Sequence, residues 1–190
     1  IAFLNTADGM LTFLLTAAIL GGHVAMRGES ARERTTVAFA AGVAAGGAFL
    51  TKGLIGFLFP AAILAVWAVL VRRPRPFVAA AAAGSLGAAA VALPWVAVVA
   101  QRCPEYLEVL IVREHFQRYA SAIHQRQEPL FFATFIFLAA LAPVLGKLFS
   151  ALLGRYSPFS ESEKLLVVWF ASIVLFFSFS ILSIPSIIHR

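Results

Sequence analysis

The sequence predicts an all-α fold, a polytopic bundle of membrane-spanning helices, and three observations predict it. Of its 190 residues, 61% are apolar and 13% are charged. An ordinary soluble domain has about 45–50% and about 25%. Mean hydropathy is +0.90. The apolar residues gather into six stretches near the roughly 20 residues that a membrane helix needs. A soluble globule cannot hide so much apolar surface, and disorder carries the opposite signature of low hydrophobicity. The single cysteine, Cys103, excludes a disulfide framework and a CxxC metal site.

The six predicted spans are Ala7–Met26, Thr35–Leu50, Leu54–Val71, Phe77–Ala100, Leu130–Gly154 and Leu165–Ile184. No basic segment precedes the first, so it does not read as a signal peptide. The second and third are parted by Thr51-Lys52-Gly53 alone. One helix over both would be about 52 Å long, against a hydrocarbon core of about 30 Å. A break is therefore expected at the lysine and glycine, giving two helices joined by a tight turn. A re-entrant pair is the alternative. In the second span Gly42 and Gly46 form a GxxxG that permits close helix packing. The expected organisation is one transmembrane domain over residues 1–190, with an interfacial helix in loop 101–129. The non-methionine start and the abrupt end suggest an internal piece of a longer protein, inactive in isolation.

Loop charge sets the orientation. Six spans put loops 27–34, 72–76 and 155–164 on one side, with Arg27, Arg32, Arg34, Arg72, Arg73, Arg75, Arg155 and Lys164. These read as cytoplasmic. Lys147 is expected to snorkel at that end. Residues 1–6, the 51–53 turn and loop 101–129 then face outward. The loop carries four arginines and four glutamates, so it is no plain basic patch, and the net charge of +6 calls for no nucleic-acid partner.

Asp8, Lys52 and loop 101–129 thus share the outer side. Ionisable groups at membrane depth are functional candidates by default. Asp8 is either an N-cap of the first span or an acid or base at the rim of an outward cavity. Lys52 is either an interfacial anchor or a point charge for a phosphate, with Thr51 and Gly53 allowing close approach. In the loop, Glu114 and Arg118 are spaced for an i,i+4 surface pair. His115 and His124 are nine apart, which matches no local metal motif. What marks the segment is carboxylate, imidazole and several guanidiniums beside a membrane surface. That chemistry suits a lipid-borne phosphate, which arginine binds in a bidentate fork.

These stretches resemble the polyprenyl-phosphate-dependent glycosyltransferases of the GT-C type, the group of aminoarabinose transferases and protein mannosyltransferases. Thr6-Ala7-Asp8-Gly9-Met10-Leu11-Thr12-Phe13 is similar to the family segment in which an aspartate opens a membrane helix. Ala48-Phe49-Leu50-Thr51-Lys52-Gly53 is similar to its A-F-L-T-K-G turn. Leu93-Pro94-Trp95 followed by Arg113-Glu114-His115-Phe116-Gln117-Arg118-Tyr119 resembles L-P-W … E-H-x-x-R-[FY]. His124-Gln125-Arg126-Gln127-Glu128-Pro129 with Phe131-Phe132 resembles the entry to the next helix.

The resemblance implies a membrane glycosyltransferase of the bacterial inner membrane, active on the face outside the cytoplasm. A sugar on undecaprenyl phosphate, or a close relative, would pass with inversion to a lipid such as lipid A, a protein or a glycan. Lys52, Arg113, Arg118 and Arg126 would hold the donor phosphate. Asp8 is the implied catalytic carboxylate, orienting the acceptor or holding a cationic neighbour. His115 is the implied ligand of a divalent metal, with Glu114 behind it, and His124 a further site residue. Two departures stand out. The family's main catalytic carboxylate lies in a first outer loop that this chain lacks. In the run Phe177-Ser178-Phe179-Ser180-Ile181-Leu182-Ser183-Ile184-Pro185-Ser186-Ile187, the expected lysine falls at Ser183 and the expected tyrosine at Ile187. The alternative is a transporter or flippase for an anionic lipid or solute, which would more naturally show repeated broken helices.

Overall fold

The computed structural model describes residues 6–103, 145–147, 149–150 and 158–182. Five helices lie among them: α1 (Thr6–Ala25), α2 (Ala31–Lys52), α3 (Ile55–Leu70), α4 (Pro74–Arg102) and α5 (Glu161–Leu182). Residues 145–147 and 149–150 are also helical. The chain divides into two compact units, Ile1–Gln117 and Arg118–Arg190. The first holds α1 to α4.

These helices follow the expected spans closely, with α2 and α4 extended by a few polar residues at each end. The fifth expected span falls mostly outside the described residues. By length and composition, α1 from Asp8 and all of α4 are able to cross a membrane, and α3 is a shorter apolar helix of 16 residues. Their surfaces fit that reading. Phe13, Val69, Val78, Leu86 and Leu93 are exposed, as side chains facing lipid tails are.

The expected break is found one residue on, at Gly53-Leu54. Gly53 caps α2 with φ 73°, and its N–H donates to the Phe49 carbonyl at 2.7 Å. A left-handed φ is open to glycine at no steric cost. The chain then reverses into a helix hairpin. α3 runs alongside α1 in the same direction, with Gly22 against Leu64 and His23 against Trp67.

α2 packs on all three other helices of this unit. It lies antiparallel to α1, with Gly21 beside Ala41 and Gly47 beside Leu14. It lies parallel to α4 through backbone contact. Gly42 faces the Gly84 carbonyl, Gly87 faces the Phe39 carbonyl, and a Cβ on Gly46 would stand 2.8 Å from the Ala88 carbonyl oxygen. Gly42 and Gly46 are thus packing residues, as a GxxxG in a membrane helix permits. Trp67, Ile63 and Ile19 are fully buried where α1 and α3 meet.

Helix ends are closed by local hydrogen bonds. Ser30 caps α2: its hydroxyl accepts from the Glu33 N–H at 3.1 Å, while Glu33 accepts from the Glu29 N–H at 3.1 Å. This is a capping box displaced by one residue. α3 ends differently. The Arg72 N–H donates to the Val69 carbonyl at 3.1 Å and the Arg73 N–H to the Ala68 carbonyl at 2.7 Å, the pattern of a Schellman motif. Its left-handed residue is Arg72, with φ 58°, the one non-glycine residue of positive φ among the described residues.

In the second unit, Ser160 and Glu163 form a capping box at the start of α5, with bonds of 3.3 and 2.7 Å. Lys147 lies 3.2 Å from Glu163 Oε1 and 5.5 Å above the Phe159 ring. The Ser160 N–H, then its hydroxyl, then Lys147 hold Glu163 below the usual carboxylate range. Lys147 therefore ends in an ion pair.

Candidate functional site

The up-down-up-down order of α1 to α4 brings three sequence-distant ends together: the start of α1, the end of α2 and the end of α4. Each supplies a polar residue to the same end of the unit. α1 supplies Asp8, α2 supplies Lys52 and α4 supplies Arg102.

Asp8 and Lys52 meet. Lys52 Nζ donates to Asp8 Oδ1 at 2.6 Å across 44 residues of sequence. Local structure prepares both groups. Asp8 sits in the first turn of α1 and Lys52 in the last turn of α2. An anion at a helix N-terminus and a cation at a C-terminus each complement the backbone dipole. The Thr12 hydroxyl donates to the Asp8 carbonyl at 2.8 Å, and the Thr51 hydroxyl to the Ala48 carbonyl at 2.7 Å. Gly53 then turns the chain away, and Gly56 lies directly on the Ala48–Phe49 backbone, which keeps α3 tight against α2 beneath the lysine.

Asp8 is therefore not the N-cap. α1 already begins at Thr6, and the carboxylate reaches sideways to α2. Both side chains stay about half exposed, 52% for Asp8 and 48% for Lys52. A half-exposed pair in water contributes at most about 1 kcal/mol, so it is not what holds the helices together. An ammonium carries three N–H donors, and Asp8 Oδ1 accepts one of them. The arrangement presents a positioned cation at a helix turn, braced by a carboxylate. Such a group can hold a phosphate oxygen as a point charge.

The remaining expected site residues, Arg113, Arg118, Arg126, His115, Glu114 and His124, lie outside the described residues, as does Ser183. Among the described residues no cluster of three or more His, Cys, Asp or Glu could hold a metal ion. Leu93-Pro94-Trp95 falls within α4, where Pro94 removes one intrahelical N–H donor.

A second polar feature lies at the opposite end and was not singled out in the sequence. His23 is buried, edge-on to Trp67 with ring centroids 4.6 Å apart, and 3.4 Å from the Arg27 guanidinium. It borders an open hollow of about 390 Å³ lined by His23, Val24, Arg27, Gly28, Glu29 and Glu33. A lone histidine inside an apolar helix gave no spacing signal that could have found it.

The family model described as dolichyl-phosphate-mannose-protein mannosyltransferase matches residues 5–110, a range that contains Asp8 and Lys52. The chain is 30% identical over 176 residues to an undecaprenyl phosphate-alpha-4-amino-4-deoxy-L-arabinose arabinosyl transferase of Proteus mirabilis, covering 93% of this chain and 32% of that protein. The corresponding transferase of Yersinia enterocolitica is 27% identical over 183 residues, 95% of this chain and 33% of that protein. That of Yersinia pestis is 28% identical over 185 residues, with the same coverage. The chain thus spans about a third of the length of the curated relatives it matches. No solved structure matches.

Proposed function

The chain belongs to the dolichyl-phosphate-mannose-protein mannosyltransferase family, and on that premise we propose that the whole protein is a membrane glycosyltransferase. Its donor is a sugar on a polyprenyl phosphate, of the undecaprenyl kind named in the relatives. The acceptor is a lipid, protein or glycan on the outer face of the bacterial inner membrane. The family match over more than half the chain carries this reading. Nothing in the comparisons favours the transporter alternative.

In the proposed reaction an acceptor oxygen or nitrogen attacks the anomeric carbon from the face opposite the phosphate. The carbon–oxygen bond to the polyprenyl phosphate breaks, the anomeric centre inverts, and the leaving oxygen gains negative charge. Lys52 meets that charge, with Arg113, Arg118 and Arg126 contributing forks to the remaining phosphate oxygens. Asp8 keeps the Lys52 ammonium extended toward the site through the 2.6 Å bond. The acceptor's proton passes to a base for which Asp8, already engaged by a cation, is poorly suited. His124 falls within the expected loop 101–129 with those arginines and is kept as a further site residue. A divalent ion, if the enzyme uses one, is expected at His115, then Glu114, and would supply a Lewis acid on the phosphate.

Reconstituted full-length enzyme tests this directly. Lys52→Ala and His115→Ala are expected to abolish or sharply reduce sugar transfer while expression persists. Wild-type rates in both variants would overturn the residue assignment. Transport of an intact lipid-linked sugar without any transferred product would overturn the reaction class.

A further inference from the structure

The Schellman turn that ends α3 holds an arginine where the backbone favours glycine. Arg72 occupies the left-handed position at φ 58°, and both hydrogen bonds of the motif are made around it. An L-residue there brings its Cβ against the following carbonyl, a strain that glycine avoids. A strained residue retained on the surface is a reason to look for a role.

The surroundings indicate which role. Arg72, Arg73 and Arg75 fall within four residues, interrupted and followed by Pro74 and Pro76. Pro74 and Arg75 open α4, so the turn is short and rigid. Arg72 and Arg75 are exposed and Arg73 is half-buried. No acidic residue lies between Lys52 and Arg102, so the turn carries no acid of its own. The turn sits where one apolar helix ends and another begins, the place at which a membrane-spanning pair meets the headgroup region. A dipole-complementing cation is not enough to explain Arg72, because any basic residue of the same turn serves the last carbonyls of α3.

We propose that the Arg72–Arg75 turn is a binding site for the phosphate headgroup of an anionic lipid, and that Arg72 tolerates its strained backbone in order to hold one guanidinium of that site. The site is at the opposite end of the helices from Lys52 and is independent of the reaction proposed above. Arginine suits a phosphate diester because its planar fork can take two oxygens at once. Near an anionic leaflet each basic residue strengthens association by roughly fivefold.

The test is thermal unfolding of the full chain in nanodiscs of pure phosphatidylcholine and of phosphatidylcholine mixed with phosphatidylglycerol. Lipid bound to the folded state raises its unfolding midpoint. Wild type is expected to gain stability when phosphatidylglycerol is present, and the gain should shrink in high salt. Arg72→Gly should unfold at a higher temperature than wild type in pure phosphatidylcholine, because the strain is relieved. It should also lose a large part of the gain from phosphatidylglycerol. Arg72→Lys should keep the strain and only part of the gain, because an ammonium is a point charge without the fork, and Arg75→Ala should lose gain without becoming more stable. Inorganic phosphate added to phosphatidylcholine discs should not replace the lipid. The proposal is overturned if Arg72→Gly responds to phosphatidylglycerol as wild type does, if it is less stable than wild type in phosphatidylcholine, or if inorganic phosphate reproduces the gain.

Discussion

Replacing Lys52 by methionine removes a charge while keeping most of the apolar stem, and it separates a structural role from a chemical one. The structural loss is bounded by geometry. The ion pair with Asp8 is about half exposed on both sides, so its removal costs at most about 1 kcal/mol. Loss of a cation from the last turn of α2 adds about 0.3–1 kcal/mol. Each kcal/mol lowers the unfolding midpoint by about 2–4 °C in a protein of about 150–250 residues and by less in a longer one, so a fall of no more than a few degrees is expected. The chemical loss is larger. A preorganised group aimed at charge that develops in the transition state is worth about 10²–10³ in rate. The assay is initial-rate transfer from a polyprenyl-phosphate sugar by the full-length enzyme, with the unfolding midpoint measured on the same preparation. A rate within tenfold of wild type, or a midpoint collapse that accounts for the lost activity, would refute the assignment of Lys52 to the phosphate. Asp8→Asn should give a similar small fall in midpoint and a milder loss of rate, because the ammonium remains but is less well held.

Four further outcomes follow from the packing and the caps. Gly42→Val should part α2 from α4, because its Cβ faces the Gly84 carbonyl; a loss of about 1–3 kcal/mol or more is expected from thermal unfolding. Gly9→Ala is the contrasting control, since a Cβ there meets nothing within 4 Å, and it should gain up to about 1 kcal/mol from helix propensity. Trp67→Ala should cost about 3–5 kcal/mol, as a fully buried ring is lost from the α1–α3 contact. Glu163 is held below its ordinary pKa of 4.5 by Ser160 and Lys147. Its contribution to α5 is thus present above that ordinary value and is lost as pH falls through the lowered one. Hydrogen exchange at the start of α5 should be faster in Glu163→Gln than in wild type at neutral pH, and the two should converge in acid.

The helix order was readable because membrane spans are long and local. Apolar runs marked four helices of the first unit to within a few residues, and the lysine–glycine pair marked the reversal between α2 and α3. Loop counting also placed Asp8 and Lys52 on one side. Their direct pairing was not readable, because a contact across 44 residues depends on the relative heights of α1 and α2, which no local pattern records. The Gly42–Gly46 spacing announced close packing but not the partner: Gly84 and Ala88 on α4 repeat its interval of four, but in so alanine-rich a helix many small pairs share that spacing. The left-handed Arg72 was hidden for another reason. Glycine is the usual sign of that turn, and arginine in a basic loop reads only as charge. His23 looked like one polar residue in an apolar helix until Trp67 was brought beside it.

The short α3 has a consequence for how the two ends sit in a bilayer. Sixteen residues rise about 24 Å, some 6 Å less than a typical hydrocarbon core of about 30 Å. A helix that short is matched to a bilayer by local thinning or by side chains that snorkel from its ends, and tilt would only deepen the shortfall. The neighbouring α4, at 29 residues, has no such shortfall. Lys52, which closes the 22-residue α2 beside the start of α3, has the long stem that such a match calls for.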